Sequence, residues 1–305
     1  MKRDFFKSGR EFSLALTVAA IVGSVALIGI LAYSQMYEQR RVMSLRGNSY
    51  ISDQISSAMS LWLNDQVRIA EMLAGSPEVL AYCKSPLDVD KRAAAQNFLE
   101  GSHALLPYFT LINVIYYLQD GEDAFSLAVN GEKRLIRDGH SLVDSIGGKS
   151  VGVGGASFSY LTAVAQGSAA FISEAKPNAL PGLPPVYVVA VPVKDGDGRL
   201  LAALSFGVKL EYFNRQFVVN FHQGETGRIE IIDNRGFFVG APEQGKELAA
   251  AFQAEGEGIL RHLSPHKGTT FFMDLPGGRY DYAASPVWIP YDTASTWWIL
   301  VRRSG

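Results

Sequence analysis

The sequence predicts an α+β fold: an N-terminal transmembrane helix, a long helix after it, and two antiparallel-sheet modules. Three observations predict it. Residues 12–33 carry no charge, the stretch that follows is amphipathic and free of proline as far as Ala74, and one hairpin layout occurs twice. With 305 residues, 48% hydrophobic and 19% charged, the chain has apolar material for one large domain or two modest ones. Its formal net charge of −2 gives no electrostatic case for a nucleic-acid partner. A single cysteine, Cys83, excludes an internal disulfide framework and any CxxC metal or haem motif, and it reads as a buried small hydrophobe. No cofactor is implied.

The run FSLALTVAAIVGSVALIGILAY is long enough to span a bilayer core as a helix. Lys2, Arg3, Lys7 and Arg10 precede it and favour a cytoplasmic N-terminus, although Arg40, Arg41 and Arg46 make the charge bias modest. The alternative is a cleaved signal peptide, but the run exceeds a usual apolar signal region and no A-x-A site follows. The chain beyond about residue 36 is therefore expected outside a bacterial inner membrane, in the periplasm. There Ile55, Met59, Trp62, Ile69 and Leu73 recur at three-four spacing. They predict one long helix whose apolar face meets a second copy of the chain, its own sheet, or both. Gly75 stops that helix, Ser76 and Pro77 start the next turn, and a further helix is predicted over 89–106.

After Pro107 the periodicity is that of strands. LINVIYYLQDGEDAFSLAVNGE reads as strand, Asp120-Gly121 turn and strand, and VVAVPVKDGDGRLLAALSFGV (188–208) is a second hairpin. GRIEIIDNRGFFVGAPEQG repeats the first design around Asn234-Arg235-Gly236. YAASPVWIPYDTASTWWILV echoes the second, with Ala284-Ser285-Pro286-Val287 matching Ala190-Val191-Pro192-Val193. The repeated order predicts two similar modules joined near residues 210–224.

Motifs for catalysis or metal binding fail one by one. GGKS at 147–150 has the tail of a phosphate loop, but Val143 stands where its leading glycine belongs. DGDG at 195–198 starts like a calcium loop, yet the twelfth position is Phe206 rather than glutamate. His262 and His266 are four apart with Pro265 between them and no third ligand in view. His103, His140 and His222 are isolated, and no G-x-S-x-G elbow exists. The chain is not expected to be an enzyme.

Three stretches in order behind the anchor carry a resemblance. SFSYLTAVAQGSAAFISEA (157–175) resembles an R-x-Y-F…A…G…S segment, and VYVVAVPVKDGDGRLLAALSFGVKLEYF (186–213) resembles an A-x-P-V-x-D-x-x-G-x-x-x-G-V strand pair. GETGRIEIIDNRGFFVGAP (224–242) resembles the opening of a second module. All belong to the double Cache sensor domains of bacterial transmembrane receptors, which include methyl-accepting chemotaxis proteins, histidine kinases and diguanylate cyclases. The resemblance covers roughly residues 36–303.

It implies two PAS-like sheets along the long helix, a homodimer, and a small ligand in the membrane-distal module. The implied organisation is a cytoplasmic N-terminus (1–11), a transmembrane helix (12–34), the long helix with its helical segment (35–106), a membrane-distal module (107–215) and a membrane-proximal module (216–303). It also implies a second transmembrane helix and an output domain, so the chain is expected to be the sensor part of a longer chemotaxis receptor. A kinase or cyclase sensor, or a membrane-tethered binding module without output, is the alternative.

The ligand site departs from the amino-acid-binding members. Those carry R-x-W-Y and an aspartate that neutralises the ligand's ammonium group, which needs a buried counter-charge once stripped of water. Here no R-x-W-Y exists, and the aspartate's place falls on Gly207. The R-x-Y-F arginine falls on Phe158, and Tyr160 alone keeps its aligned place. Strand alternation puts Ser205 and Gly207 on the face implied for the ligand, with Tyr160 opposite. Tyr117 and Tyr187 are further candidates whose faces the sequence leaves open, core packing being the alternative for each tyrosine. A neutral or anionic small molecule is therefore expected rather than a free amino acid.

Overall fold

The structure, a computed structural model, describes residues 2–86, 88–116, 125–129, 141–143, 150–152, 159–177, 184–219, 227–242, 246–264, 266–275 and 278–304. Within these ranges the side chains of 2–26, among others, are not described. Helix α1 spans Lys2–Ala74. Contacts divide the chain into Met1–Asn48 and Ser49–Gly305, and the first unit is helical from Lys2. The span predicted at 12–34 lies within α1, and the side chains of its first fifteen residues fall outside the described set. Among the described residues, no helix is long and apolar enough to cross a membrane.

In the second unit, the apolar stripe of α1 is consumed by the protein's own core. Ile55, Met59, Leu63, Val67, Ala70 and Leu73 are at most 1% exposed, and Trp62 and Ile69 pack half-buried against them. A homodimer seam therefore does not run through Ile55 or Met59. Each of these side chains other than Ala70 contributes about 1.5–3 kcal/mol by leaving water. Gly75 ends the helix, its N–H donating to the Glu71 carbonyl at 2.9 Å. Ser76 caps α2 (Pro77–Lys84) by accepting from the Val79 N–H at 3.3 Å. Asp88 caps α3 (Val89–Leu105), accepting from the Asp90 and Lys91 N–H groups at 3.1 Å each. Cys83 on α2 is buried, and burial pushes its thiol up to about 12, which suits a packing residue rather than a nucleophile.

The first sheet begins with β1 (Phe109–Tyr116) and β2 (Phe125–Val129). A two-stranded ladder, β3 (Ser141–Val143) with β4 (Ser150–Gly152), and helix α4 (Ser159–Ala165) follow. The sheet is completed by β5 (Phe171–Ile172), β6 (Val186–Lys194) and β7 (Leu200–Lys209). After α5 (Leu210–Asn214), the second sheet starts with β8 (Gly227–Asp233) and β9 (Phe238–Gly240). Helix α6 (Gln253–Leu260) leads to β10 (Thr269–Leu275), β11 (Gly278–Pro286), the short β12 (Asp292–Thr293) and β13 (Trp297–Ser304).

The strand orders are β12-β5-β6-β7-β1-β2 and β10-β11-β13-β8-β9. With β12 set aside, both sheets run third, fourth, fifth, first, second by chain position, so the hairpin repeat in the sequence is a repeat in topology. The β6–β7 turn and the β8–β9 turn are each built on an aspartate. Asp195 accepts from the Asp197 and Arg199 N–H groups at 3.1 and 2.9 Å, with Gly198 at φ +80°. Asp233 accepts from Arg235 and Phe237 at 2.9 and 3.0 Å, with Gly236 at φ +81°.

Each sheet turns one face to α1. Tyr187, Val189 and Val191 of β6, Leu204, Phe206 and Val208 of β7, and Ile229, Ile231, Ile299 and Val301 of the second sheet share one core with the α1 stripe. The other face of the first sheet meets α4, and that of the second sheet meets α6.

Candidate functional site

The face of the first sheet turned away from α1 is unusually low. Alternation on β7 sends Leu204, Phe206 and Val208 to α1 and leaves Ala203, Ser205 and Gly207 facing α4. On β6 the same side carries Val188 and Ala190, and the register sets Ala190 beside Ser205 and Val188 beside Gly207. Alanine, serine and glycine across two central strands raise little side-chain bulk under the helix. Over them stand Tyr160 and Val164 of α4 and Phe171 of β5, all buried. Ser205 is 3% exposed and Tyr160 is 6% exposed.

Gly207 has a steric reason as well. A Cβ there would lie 2.5 Å from the Thr110 hydroxyl oxygen, too close for any real contact. Thr110 is buried and sits at a register irregularity of β1 between Phe109 and Leu111, from where its hydroxyl donates to the Gly207 carbonyl at 3.3 Å. The place where an aspartate side chain would begin is thus occupied by a threonine hydroxyl. Sequence reasoning missed Thr110, because a bulge cannot be read from alternation. It also missed Asn113, the register partner of Ser205 on β1.

Of the six candidates read from the sequence, Tyr160, Ser205 and Gly207 come to one face. Tyr187 does not join them. It projects to α1, fully buried between Trp62, Phe213 and Trp297 with ring centroids 6.2, 6.0 and 5.2 Å away. Burial, with Tyr108 nearby, holds its hydroxyl well above the ordinary tyrosine range. A ligand beneath α4 cannot reach it through the sheet. Tyr117 and Phe158 lie outside the described residues.

The α6 face of the second sheet is filled instead. Glu230 of β8 is fully buried, and Lys246 binds it at 2.8 Å and Glu255 at 3.2 Å. Arg302 of β13 stands 3.5 Å from Glu230 and 3.4 Å from Glu255. The Lys246 ammonium also lies 3.8 Å over the Phe238 ring. Burial pushes the Glu230 carboxyl up, opposed by the charges of Arg302 and Lys246. Two cations against two carboxylates tie strands β8 and β13 to α6 and to the chain leading to it.

Among the described residues no group of three or more histidine, cysteine, aspartate or glutamate side chains could hold a metal. His262 stacks on Phe271 at 4.9 Å, a packing contact, and His266 is exposed.

No protein-family model matches the chain, and no curated protein sequence matches it. Solved structures share its fold. One, a methyl-accepting chemotaxis protein X, is 16% identical with a TM-score of 0.61, over 87% of this chain and 98% of that one. The ligand-binding domain of the Pseudomonas aeruginosa PAO1 amino acid chemoreceptor PctC, in complex with GABA, is 15% identical with a TM-score of 0.61, over 86% and 100%. The extracellular domain of the putative histidine kinase vpHK1S-Z8 is 13% identical with a TM-score of 0.58, over 88% and 96%. The chain therefore has the fold of the sensory domains of membrane receptors.

Proposed function

We propose that this chain is the extracytoplasmic sensor of a chemotaxis-type transmembrane receptor and holds a small molecule between α4 and the first sheet. The observation that carries the reading is the low face of Ala190, Ala203, Ser205 and Gly207 beneath Tyr160, on a fold that chemoreceptor ligand-binding domains share. The first sheet is then the membrane-distal module and the second the membrane-proximal one. A histidine-kinase output is the second reading, supported by the likeness to the vpHK1S-Z8 domain.

The ligand class follows from charge. The described residues packed with Tyr160, namely Val164, Phe171, Val188, Ala190 and Ala203, carry no charge, and Thr110 closes the place of an acidic side chain at 207. An ammonium group moved there would lose its water without gaining a counter-charge. A neutral or anionic molecule, held by hydroxyls and backbone amides, fits. It would act by binding one of two receptor states more tightly than the other.

The test is thermal unfolding of the full chain in detergent against amino acids, amines, organic acids and purines. A ligand at a hundred times its dissociation constant stabilises by about 2.7 kcal/mol, which raises the melting temperature by roughly 5–10 °C in a domain of this size. A shift with an ordinary L-amino acid, unchanged in Tyr160→Ala, overturns both the site and the ligand class.

Residues 12–34 would anchor the receptor. The protein should then begin near Met1 and stay with membranes after carbonate washing, whereas a soluble form starting near residue 34 contradicts the anchor. For the dimer, α1 offers a face opposite its buried stripe. Tyr50, Leu61 and Met72, at eleven-residue spacing, are 66%, 67% and 65% exposed. Between Leu61 and Met72 lie Asp65 and Arg68, a pair 3.7 Å apart with both side chains exposed. Such a face complements the same face of a second copy in charge and in apolar contact. Leu61→Glu should weaken self-association in sedimentation without lowering the melting temperature, and unchanged association removes this seam.

A further inference from the structure

The fourth and fifth strands of each sheet form a hairpin, but the two hairpins are closed differently. In the first sheet the aspartate turn at 195–198 joins β6 to β7 directly. In the second sheet residues 287–296 join β11 to β13, although the Val287 N–H and the Trp297 carbonyl already meet at 2.8 Å at the base. A tight turn would have sufficed there. The extra chain instead leaves its own sheet, runs beside α1 and enters the first sheet as β12, parallel to β5.

Its path is marked by hydrogen bonds at every step. Ser52, Ser56, Ser60 and Asn64 form a polar row on α1, one residue per turn. Ser52 Oγ meets Ser285 Oγ at 2.7 Å, and Ser56 Oγ donates to the Pro286 carbonyl at 2.5 Å. The Trp288 N–H donates to Ser60 Oγ at 3.1 Å, and the Tyr291 hydroxyl donates to Asn64 Oδ1 at 2.8 Å. At the far end the Ala294 N–H donates to the Ile172 carbonyl at 3.0 Å, and Ser168 Oγ donates to the Asp292 carboxylate. Ser168 belongs to the corner between α4, which carries Tyr160, and β5. The return is fastened by Ser295 Oγ to Asn234 Oδ1 at 3.0 Å, in the turn between β8 and β9.

We infer that residues 285–295 are a strap that couples the α4–β5 corner of the first sheet to α1 and the second sheet. This rests on the sensor reading, and it names the path by which a molecule beneath α4 would reach the long helix. The construction suits movement. Val287 is buried in the α1 core with Ile289 and Tyr291 packed against it, while the polar contacts to α1 are single hydrogen bonds repeating once per turn that can be exchanged one at a time. The strap is also unbraced on one side. Pro286, Val287, Trp288, Ile289, Thr293 and Ser295 border a surface cavity of ≈ 340 Å³, and Trp288 is 71% exposed.

The test is amide hydrogen exchange of the full chain in detergent, with no ligand, in Ser168→Ala and separately in Asp292→Asn. Ser168→Ala removes the Ser168–Asp292 bond, and Asp292→Asn keeps an acceptor but takes away its charge. If the strap transmits, loosening that end frees the Trp288 amide from Ser60, and its exchange quickens about tenfold or more in Ser168→Ala, as expected for loss of a charge-assisted bond, and by less in Asp292→Asn. Amides of β8, in the core of the second sheet, should keep their rates. Quickening confined to residues 292–294 in Ser168→Ala, with Trp288 at its original rate, overturns the strap. Ser168→Ala decides the matter if Asp292→Asn fails to fold. Because no ligand is added, the result stands whether or not the binding reading holds.

Discussion

Beneath α4, the first sheet sets Ala190 beside Ser205 and Val188 beside Gly207. At the matching register beneath α6, the second sheet sets Ala284 beside Leu300 and Tyr282 beside Arg302. On the next strand, Asn113 stands opposite Ser205 and Glu230 stands opposite Leu300. The alanine is the same in both, and it belongs to the A-x-P-V repeat. Everything around it has changed, from serine and glycine to leucine and arginine. One architecture, used twice, thus leaves one face low and neutral and fills the other with bulk and paired charge. On the function proposed above, the first sheet receives a molecule, while the second spends the same face on holding itself together.

If the second face is structural, breaking its charge tie should be costly and local. Glu230→Gln leaves Lys246 and Arg302 sharing Glu255 alone. Removing one partner of a buried ion pair costs about 3–5 kcal/mol, and denaturant unfolding should show it, with ligand affinity of the remaining folded protein unchanged. The buried Cys83 thiol offers an independent probe, reacting with a thiol reagent only as the core opens. A loss below about 1 kcal/mol would mean the quartet is no tie, since that is the worth of an exposed pair.

A smaller effect is expected on the first sheet from steric filling. Gly207→Ala drives a Cβ into the Thr110 hydroxyl and should cost about 1–3 kcal/mol, the usual range for overpacking. In a Thr110→Ala background most of that cost should vanish, because the clashing atom is gone. A double-mutant cycle measures the coupling. Equal costs in both backgrounds would show that Thr110 does not close the site.

Much of this contrast was legible in the sequence, and the illegible part has a physical cause. The A-x-P-V echo located β6 and β11, and period-two alternation brought Ser205 and Gly207 to one face. Alternation could not orient Tyr187, because both neighbours on its strand are valines and neither side reads as polar. The stripe through Ile55 and Met59 showed that α1 buries a face but not against what, since a sheet and a second helix demand the same pattern. Glu230, Lys246, Glu255 and Arg302 are scattered along the chain, and only the register of β8 against β13 joins them. The strap was invisible for the same reason. Residues 287–296 have no periodicity, and β5, which β12 joins, lies more than a hundred residues earlier in the chain.

The central claim is that a ligand sits on the first sheet and not the second, and one paired measurement tests it most directly. Ser205→Leu gives the first sheet the side chain that the second already has, and Leu300→Ser does the reverse. Thermal unfolding of each is measured with and without the compound that stabilises the unaltered chain. Ser205→Leu should abolish the ligand's shift of roughly 5–10 °C and lower the stability of the unliganded protein by about 1–3 kcal/mol, the usual range for overpacking. Leu300→Ser should lower stability by about 2–5 kcal/mol, as large-to-small changes in a core do, and keep the shift. A shift that survives Ser205→Leu and disappears in Leu300→Ser would place the ligand on the second sheet and contradict the account.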